Sequence, residues 1–216
     1  MYRTFGTIPS RVRICQYAAC ISFTIRYNGI VPTASLSRDE VVARIQNVFR
    51  DNGFDGASLT EISNVTGLGK GSLYHYFPGG KDDMAVAVLE RLAVSMRERM
   101  LEPLRGVGTP QARLRAMLRV IDAFYDGGRN ACVLGSLAVG ASRARFQGHL
   151  KNAVAEWIDA RRKLATEAGV KPSEARRRAE DGVVRIEGAL IVSAALADGA
   201  PFKRALRAIE RELLSF

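Results

Sequence analysis

Helix-start and helix-stop signals follow one another at short intervals from Ser37 to Pro78, and they constrain the fold more than any other feature of the chain. Ser37-Arg38-Asp39-Glu40 reads as a capping box, in which serine and glutamate satisfy each other's free amides at a helix head. Val41, Val42, Ile45, Val48 and Phe49 then fall on one helical face, and Gly53 after Asn52 is a natural C-terminal stop. Ser58-Leu59-Thr60-Glu61 reads as a second capping box, opening a helix of about two turns with Ile62 and Val65 turned inward. Gly67 supplies the positive φ of a tight interhelical turn. A third short helix is expected from about Gly69 to Phe77, where Pro78 ends it. Helix, glycine turn and second short helix is helix-turn-helix spacing.

The stretch Gly67-Leu68-Gly69-Lys70-Gly71-Ser72 invites a competing reading, a glycine-rich loop that cradles a phosphate. The spacing argues against it. A nucleotide-binding P-loop requires Ser or Thr directly after its lysine, and Gly71 stands after Lys70. A dinucleotide fingerprint requires glycine where Ser72 stands and a strand in front of it, and what precedes is a capped helix.

Composition bounds the partners. A chain of 216 residues, 47% hydrophobic and 25% charged, can form one domain or two small ones around a real core. Cys15, Cys20 and Cys132 are too few and too scattered for a disulfide framework, and His75 and His149 cannot build a metal site by themselves. No metal and no cofactor is expected. The formal charge of +10 favours an anionic partner, most simply nucleic acid. The charge is uneven: residues 1–36 carry four arginines and no acid, whereas residues 37–84 carry five basic and seven acidic side chains. Any DNA contact by residues 37–84 must therefore come from a few placed groups. The apolar run ICQYAACISFTI, residues 14–25, is shorter than the roughly 20 residues a bilayer span needs. Arg26 follows it where a signal peptide would have small residues. Residues 1–36 are read as a basic tail, disordered or weakly helical, or as a leader upstream of the true start. A cytoplasmic chain without membrane attachment is the expectation.

Downstream the pattern stays helical. Met84, Val88, Leu92 and Met96 recur at four-residue intervals on one long helix expected from about Lys81 through Leu104. Pro110 opens another, carrying Leu114, Met117, Leu118, Ile121 and Phe124 before Gly127-Gly128. Leu150, Val154, Trp157, Ile158, Leu164 and Ala168 stripe a further helix ended by Gly169. No strand alternation interrupts these runs, so the class is all-α.

Residues 37–84 resemble the DNA-binding domain of the TetR family of bacterial repressors. The resemblance is carried by Ile62, Gly67, Lys70, Gly71, Ser72, Leu73, Tyr74, Tyr76, Phe77 and Lys81, with departures at Ser63, Thr66 and Gly69. It implies an N-terminal three-helix helix-turn-helix domain over 37–84 and a helical effector-binding and dimerisation domain over 85–216. Lys70, Gly71, Ser72, Tyr74 and His75 are then the groups through which the reading helix meets double-stranded operator DNA. Thr60 adds a phosphate contact from the preceding helix, and Lys81 a phosphate clamp. Tyr76 is either a further DNA-facing group or a half-buried ring packed on the first helix. Leu73 and Phe77 are core.

RNACVLGSLAVG, residues 129–140, and RIEGALIVSAALADGAPFKRAL, residues 185–206, resemble the C-terminal domain of the LmrA/YxaF-type branch, although Val139-Gly140 replaces that branch's usual glutamate. No charged residue lies between Glu187 and Asp198, and a helix apolar all round must be covered on both sides. One side fits the chain's own core. The family's dimer, built from the last two helices, implies that the other meets a second copy through Leu190 and Ile191. Met117, Phe124, Cys132, Phe146 and Trp157 are candidates for lining a pocket for an unknown small-molecule effector, though core packing alone explains apolar residues at this spacing. Cys132 at a helix start beside Arg129 is either an activated thiol or a small buried hydrophobe, the second being favoured. The reading is a homodimeric repressor, released from a palindromic operator by its effector, and not an enzyme. The alternative is an all-α small-molecule-binding protein or enzyme with a merely structural helix-turn-helix, against which stands the lack of a nucleophile–base–orienter cluster.

Overall fold

Ser37 caps the first helix as its spacing requires. The Glu40 amide donates to Ser37 Oγ at 3.3 Å, and the Ser37 amide donates to the Glu40 carboxylate at 2.8 Å. The computed structural model describes residues 36–215, so the tail reading of residues 1–36 lies, Leu36 apart, outside the described residues. Among these there are ten α-helices and no strand, which is the all-α class the periodicity predicts.

Helix α1 spans Arg38–Gly56, but Gly53, at φ 66° and ψ −174°, breaks it where the sequence places the stop, and one further turn follows. Helix α2 spans Leu59–Thr66, with Ser58 Oγ accepting from the Glu61 amide at 3.1 Å. The second capping box is only half formed. The Glu61 carboxylate accepts from Asn52 Nδ2 at 2.9 Å, which ties α2 to α1 instead of closing the box. Val65 is a second correction, since it is 41% exposed and Thr66 is buried in its stead. A four-residue step from Ile62 lands on Thr66, whose hydroxyl lies 2.6 Å from the Ile62 carbonyl, to which it donates as it enters the core. Gly67 takes φ 70° and ψ 11°, and helix α3 follows at Lys70–Tyr76.

Helix α4, Lys81–Met96, passes through a π-helical turn at Arg97–Leu101 into α5, Glu102–Arg105, so the expected single helix is interrupted. Pro103 accounts for the interruption: it has no amide to donate, and its ring collides with the carbonyl four residues back in a regular helix. Then come α6 Pro110–Phe124, α7 Val133–Ala138, α8 Arg143–Glu167, α9 Pro172–Leu196 and α10 Ala200–Glu212. Met84, Val88, Leu92 and Met96 are buried, as are Leu114, Met117, Leu118, Ile121, Leu150, Trp157 and Leu164, which is the inward stripe of each helix. Leu36–Phe216 packs as one compact unit, and α4 runs unbroken across the 84/85 position.

The carbonyls freed where Gly53 ends α1 are capped from a distance. Lys81 Nζ donates to the Phe54 carbonyl at 2.8 Å and to the Ala57 carbonyl at 2.9 Å, and it lies 4.5 Å from the centre of the Phe54 ring. Lys81, expected as a phosphate clamp, thus gives two of its three N–H donors to the end of α1. Lys81→Met keeps the aliphatic stem and removes two charge-assisted hydrogen bonds. It is expected to lower the unfolding free energy by about 2 kcal/mol in urea denaturation. A wild-type midpoint would show that the carbonyls need no ammonium.

Candidate functional site

Helix α3 is anchored on one side and bare on the other. Leu73 and Phe77 are buried, whereas Lys70, Gly71, Ser72, Tyr74 and His75 are exposed, with Thr60 exposed on the first turn of α2. Tyr74 is 48% exposed. Arg44 Nη1 donates to the Val65 carbonyl at 3.1 Å, which pins the end of α2 to α1 and so fixes the turn before α3. Tyr76 is half-buried, and its hydroxyl donates to the Leu36 carbonyl at 3.4 Å. Of its two readings the geometry favours packing at the head of α1. Nothing lies within 4 Å of a Cβ built at Gly67, Gly69 or Gly71. A bare surface follows from these small residues, so a partner's backbone can approach the start of α3 closely.

A second site lies inside the C-terminal helices. A cavity of about 550 Å³, open to solvent on one side at Val139 and Ile191, lies among α7, α8 and α9 and is walled by Leu134, Gly135, Leu150, Val154, Val183 and Leu190, with Cys132, Ser136 and Glu187 as its polar groups. Of the five expected pocket residues only Cys132 lines it. Met117, Phe146 and Trp157 are core, and Phe124 packs edge-on against Tyr125 with ring centres 5.1 Å apart. Apolar residues at helical spacing do not distinguish a filled interior from a cavity wall, and here the better-buried stripe is the filled one. The dimer pair is also split. Both line the cavity, but Leu190 is 3% exposed, whereas Ile191, at the open side, is 72% exposed.

Cys132 stands before α7, and burial pushes its thiol up to about 12. The small buried hydrophobe is thus the better of its two readings. Tyr125 donates its hydroxyl to Cys132 Sγ at 3.4 Å, and burial holds that phenol well above the usual tyrosine range. Glu187, mostly shielded, has its carboxyl raised by burial against the opposing field of Arg161. Arg161 is fully buried, with its Cζ 4.4 Å from the centre of the Trp157 ring. Sequence reasoning missed Arg161 and Glu187. Arg161 was legible as an anomaly, since it sits four residues after Trp157 and three before Leu164, in the apolar phase of α8.

Helix α7 lies between the two sites. Ser136 lines the cavity and also donates Oγ to the Arg50 carbonyl of α1 at 3.0 Å, and Ser142 Oγ donates to Asp55 Oδ2 at 3.3 Å. Among the described residues no cluster of His, Cys, Asp and Glu is placed to hold a metal, and no helix is long and apolar enough to cross a membrane.

Residues 42–88 match the family model of bacterial regulatory proteins of the tetR family, and residues 110–208 that of the C-terminal domain of LmrA/YxaF-like transcriptional regulators. The chain is 22% identical to the HTH-type transcriptional regulator LmrA of Bacillus subtilis, over 76% of this chain and 90% of that one. Its fold is similar to that of a regulatory protein TetR from Rhodobacter sphaeroides, at TM-score 0.72 and 24% identity over 82% of this chain and 99% of the other. It is similar too to a cysteine mutant of the TetR family regulator CifR solved with 26-base-pair operator DNA, at TM-score 0.68 and 20% identity over 84% and 98%. With a tetR-type helix-turn-helix ahead of an LmrA/YxaF-like C-terminal domain, the chain belongs to the TetR family of transcriptional regulators.

Proposed function

We propose that this regulator is a homodimeric repressor that reads a palindromic operator with α3 and leaves it when a small molecule fills the α7–α9 cavity. The observation that carries the reading is the bare edge of α3: Lys70, Ser72, Tyr74 and His75 stand free on a helix locked from behind by Leu73 and Phe77. A short rigid helix with polar side chains outward and glycines at its approach suits the major groove. CifR's complex with operator DNA supports a DNA partner for a chain of this fold. The cavity supports an effector, because its volume lies within the range of small-molecule sites and its walls are mostly apolar. Ser136 supplies a direct mechanical link, since a ligand that shifts α7 pulls on α1, on which the reading helix rests. Such a regulator works in the cytoplasm, where its DNA is.

The uncovered side of α9 supports the dimer. Val184, Ile191, Val192 and Leu196 are exposed, the last three on a segment without charge from Gly188 to Ala197. Two such faces related by a two-fold axis cover each other, and the same axis relates two reading helices to two operator half-sites.

Gel shifts with DNA flanking the protein's own gene test the reading as a whole. A shift whose affinity is indifferent to sequence, at several salt concentrations, would defeat it. Tyr74→Phe keeps the ring and removes one phosphate hydrogen bond, so operator binding should weaken by about 1 kcal/mol. Lys70→Ala should weaken operator and random DNA alike and lower the salt slope by about one for each phosphate left without its lysine.

Assembly is tested separately. Ile191→Glu places a charge in the self-complementary face, and light scattering should find monomers of wild-type thermal stability. Leu190→Glu, buried in the chain's own interior, should instead lower the melting temperature by roughly 10 °C or abolish folding. Intact Ile191→Glu dimers would remove α9 from the interface.

A further inference from the structure

Behind the cavity wall lies a charge with no hydrogen-bonded counter-ion among the described residues. Arg161 is completely buried, and none of its three guanidinium nitrogens has a hydrogen-bond partner there. Its packing over Trp157 replaces some hydration but satisfies no N–H. Burial lowers the guanidinium only to about 10, so it stays cationic at neutral pH. Helical side chains lean toward the N-terminus, and Arg161 shares its face of α8 with Trp157 and the cavity-lining Val154. Its neighbours across the interior are Glu187 and Tyr125, the latter bonded to Cys132. Cys132 and Glu187 belong both to the cavity wall and to this cluster, so they stand between the cavity and the guanidinium. A groove of about 420 Å³ beside the cavity shares Ala138, Leu150 and Val154 with it and carries Arg143 and Lys151.

We propose that the effector is an apolar molecule with an acidic head, whose body fills the cavity and whose carboxylate, or equally acidic oxygen, is held by Arg161. The apolar walls reject a strongly polar body, the buried orphan donors require an acceptor, and an anion supplies the missing countercharge. Arg143 and Lys151 favour the same sign of ligand at the adjoining groove. Glu187 is the opposing charge, and burial raises its carboxyl, which weakens the repulsion it offers to an acid. The inference rests on the cavity being the effector site.

Trp157 is the chain's one tryptophan, so its emission reports on the guanidinium beside it. The full-length protein is titrated with decanoate, decanol and decylamine. Decanoate is expected to bind at least about tenfold more tightly than decanol, with decylamine weakest. Arg161→Met should bring decanoate down to the affinity of decanol, leave decanol unchanged, and melt no lower than wild type, since it removes an uncompensated buried charge. Glu187→Gln, which leaves Arg161 as the only charge of the pair, should keep or raise the decanoate preference, guarding against a folding defect in the first variant. Equal or tighter binding of decanol or decylamine overturns the proposal. So does a preference that survives Arg161→Met, or emission unchanged by all three probes. Operator release is read independently by anisotropy of labelled DNA. Decanoate that binds with the stated preference yet leaves the operator bound defeats the effector role of the cavity and leaves acid recognition standing.

Discussion

The placement of the reading helix depends on the turn at Gly53-Phe54. With Gly53 at φ 66°, a conformation that suits glycine alone, the chain bends so that the Phe54 ring falls among three helices. It stacks near Phe49 of α1, with ring centres 5.9 Å apart, and meets Phe146 of α8 edge-on at 5.0 Å. Lys81 of α4 lies 4.5 Å from the ring centre and Arg145 of α8 lies 5.8 Å from it. Aromatic packing and two cations thus join α1, α4 and α8 at one point. The hydrogen bonds from Ser136 and Ser142 close the same junction from α7 and the turn after it. A reading head fastened this way is joined to α7 and α8, the helices that wall the cavity, which is the connection the proposed effector response would use.

What was legible in the sequence was local. The Ser37–Glu40 box, the left-handed turn at Gly67 and the anchors Leu73 and Phe77 each depend on residues a few positions apart, and each stands as the spacing predicts. What was not legible depended on distant partners. Glu61 leaves its own box because Asn52 on α1 offers a donor. Lys81 looks like a free cation until the broken end of α1 presents two carbonyls to it. The phase of α2 is a subtler case: Val65 is the more apolar residue, but Thr66 is in step with Ile62 and can bury its hydroxyl against a backbone carbonyl. The cavity was illegible for a different reason. Periodicity identifies inward faces, and emptiness is a property of how faces from three helices fail to meet.

The polar cluster behind the cavity is poorly explained by stability. Arg161 without hydrogen bonds, Trp157 with its Nε1 also unpartnered, and Glu187 with a raised carboxyl make the interior less stable than apolar residues of similar volume would. Arg113 of α6 is buried too, but it bonds the Leu104 carbonyl and the Glu167 carboxylate, whereas no guanidinium nitrogen of Arg161 has a partner among the described residues. A buried cation wholly without partners, close behind the apolar cavity, is the kind of cost that the proposed ligand head group would relieve.

Charge explains why the proposed second copy would matter to a reader of this kind. Residues 37–84 carry more acid than base, and with Lys81 held internally, Lys70 is the lysine that α3 offers to a phosphate. Counterion release scales with the number of phosphates neutralised, so a single head gains little sequence-independent affinity. Weak attachment by one head is an advantage for a regulator, because it limits time spent on random DNA. Stable residence then requires two heads held at a fixed spacing, the second binding at the high effective concentration that the first confers. Anything that alters the spacing removes that gain without touching either reading helix. In the proposed dimer, a cavity whose wall α7 is bonded to α1 is well placed to do so.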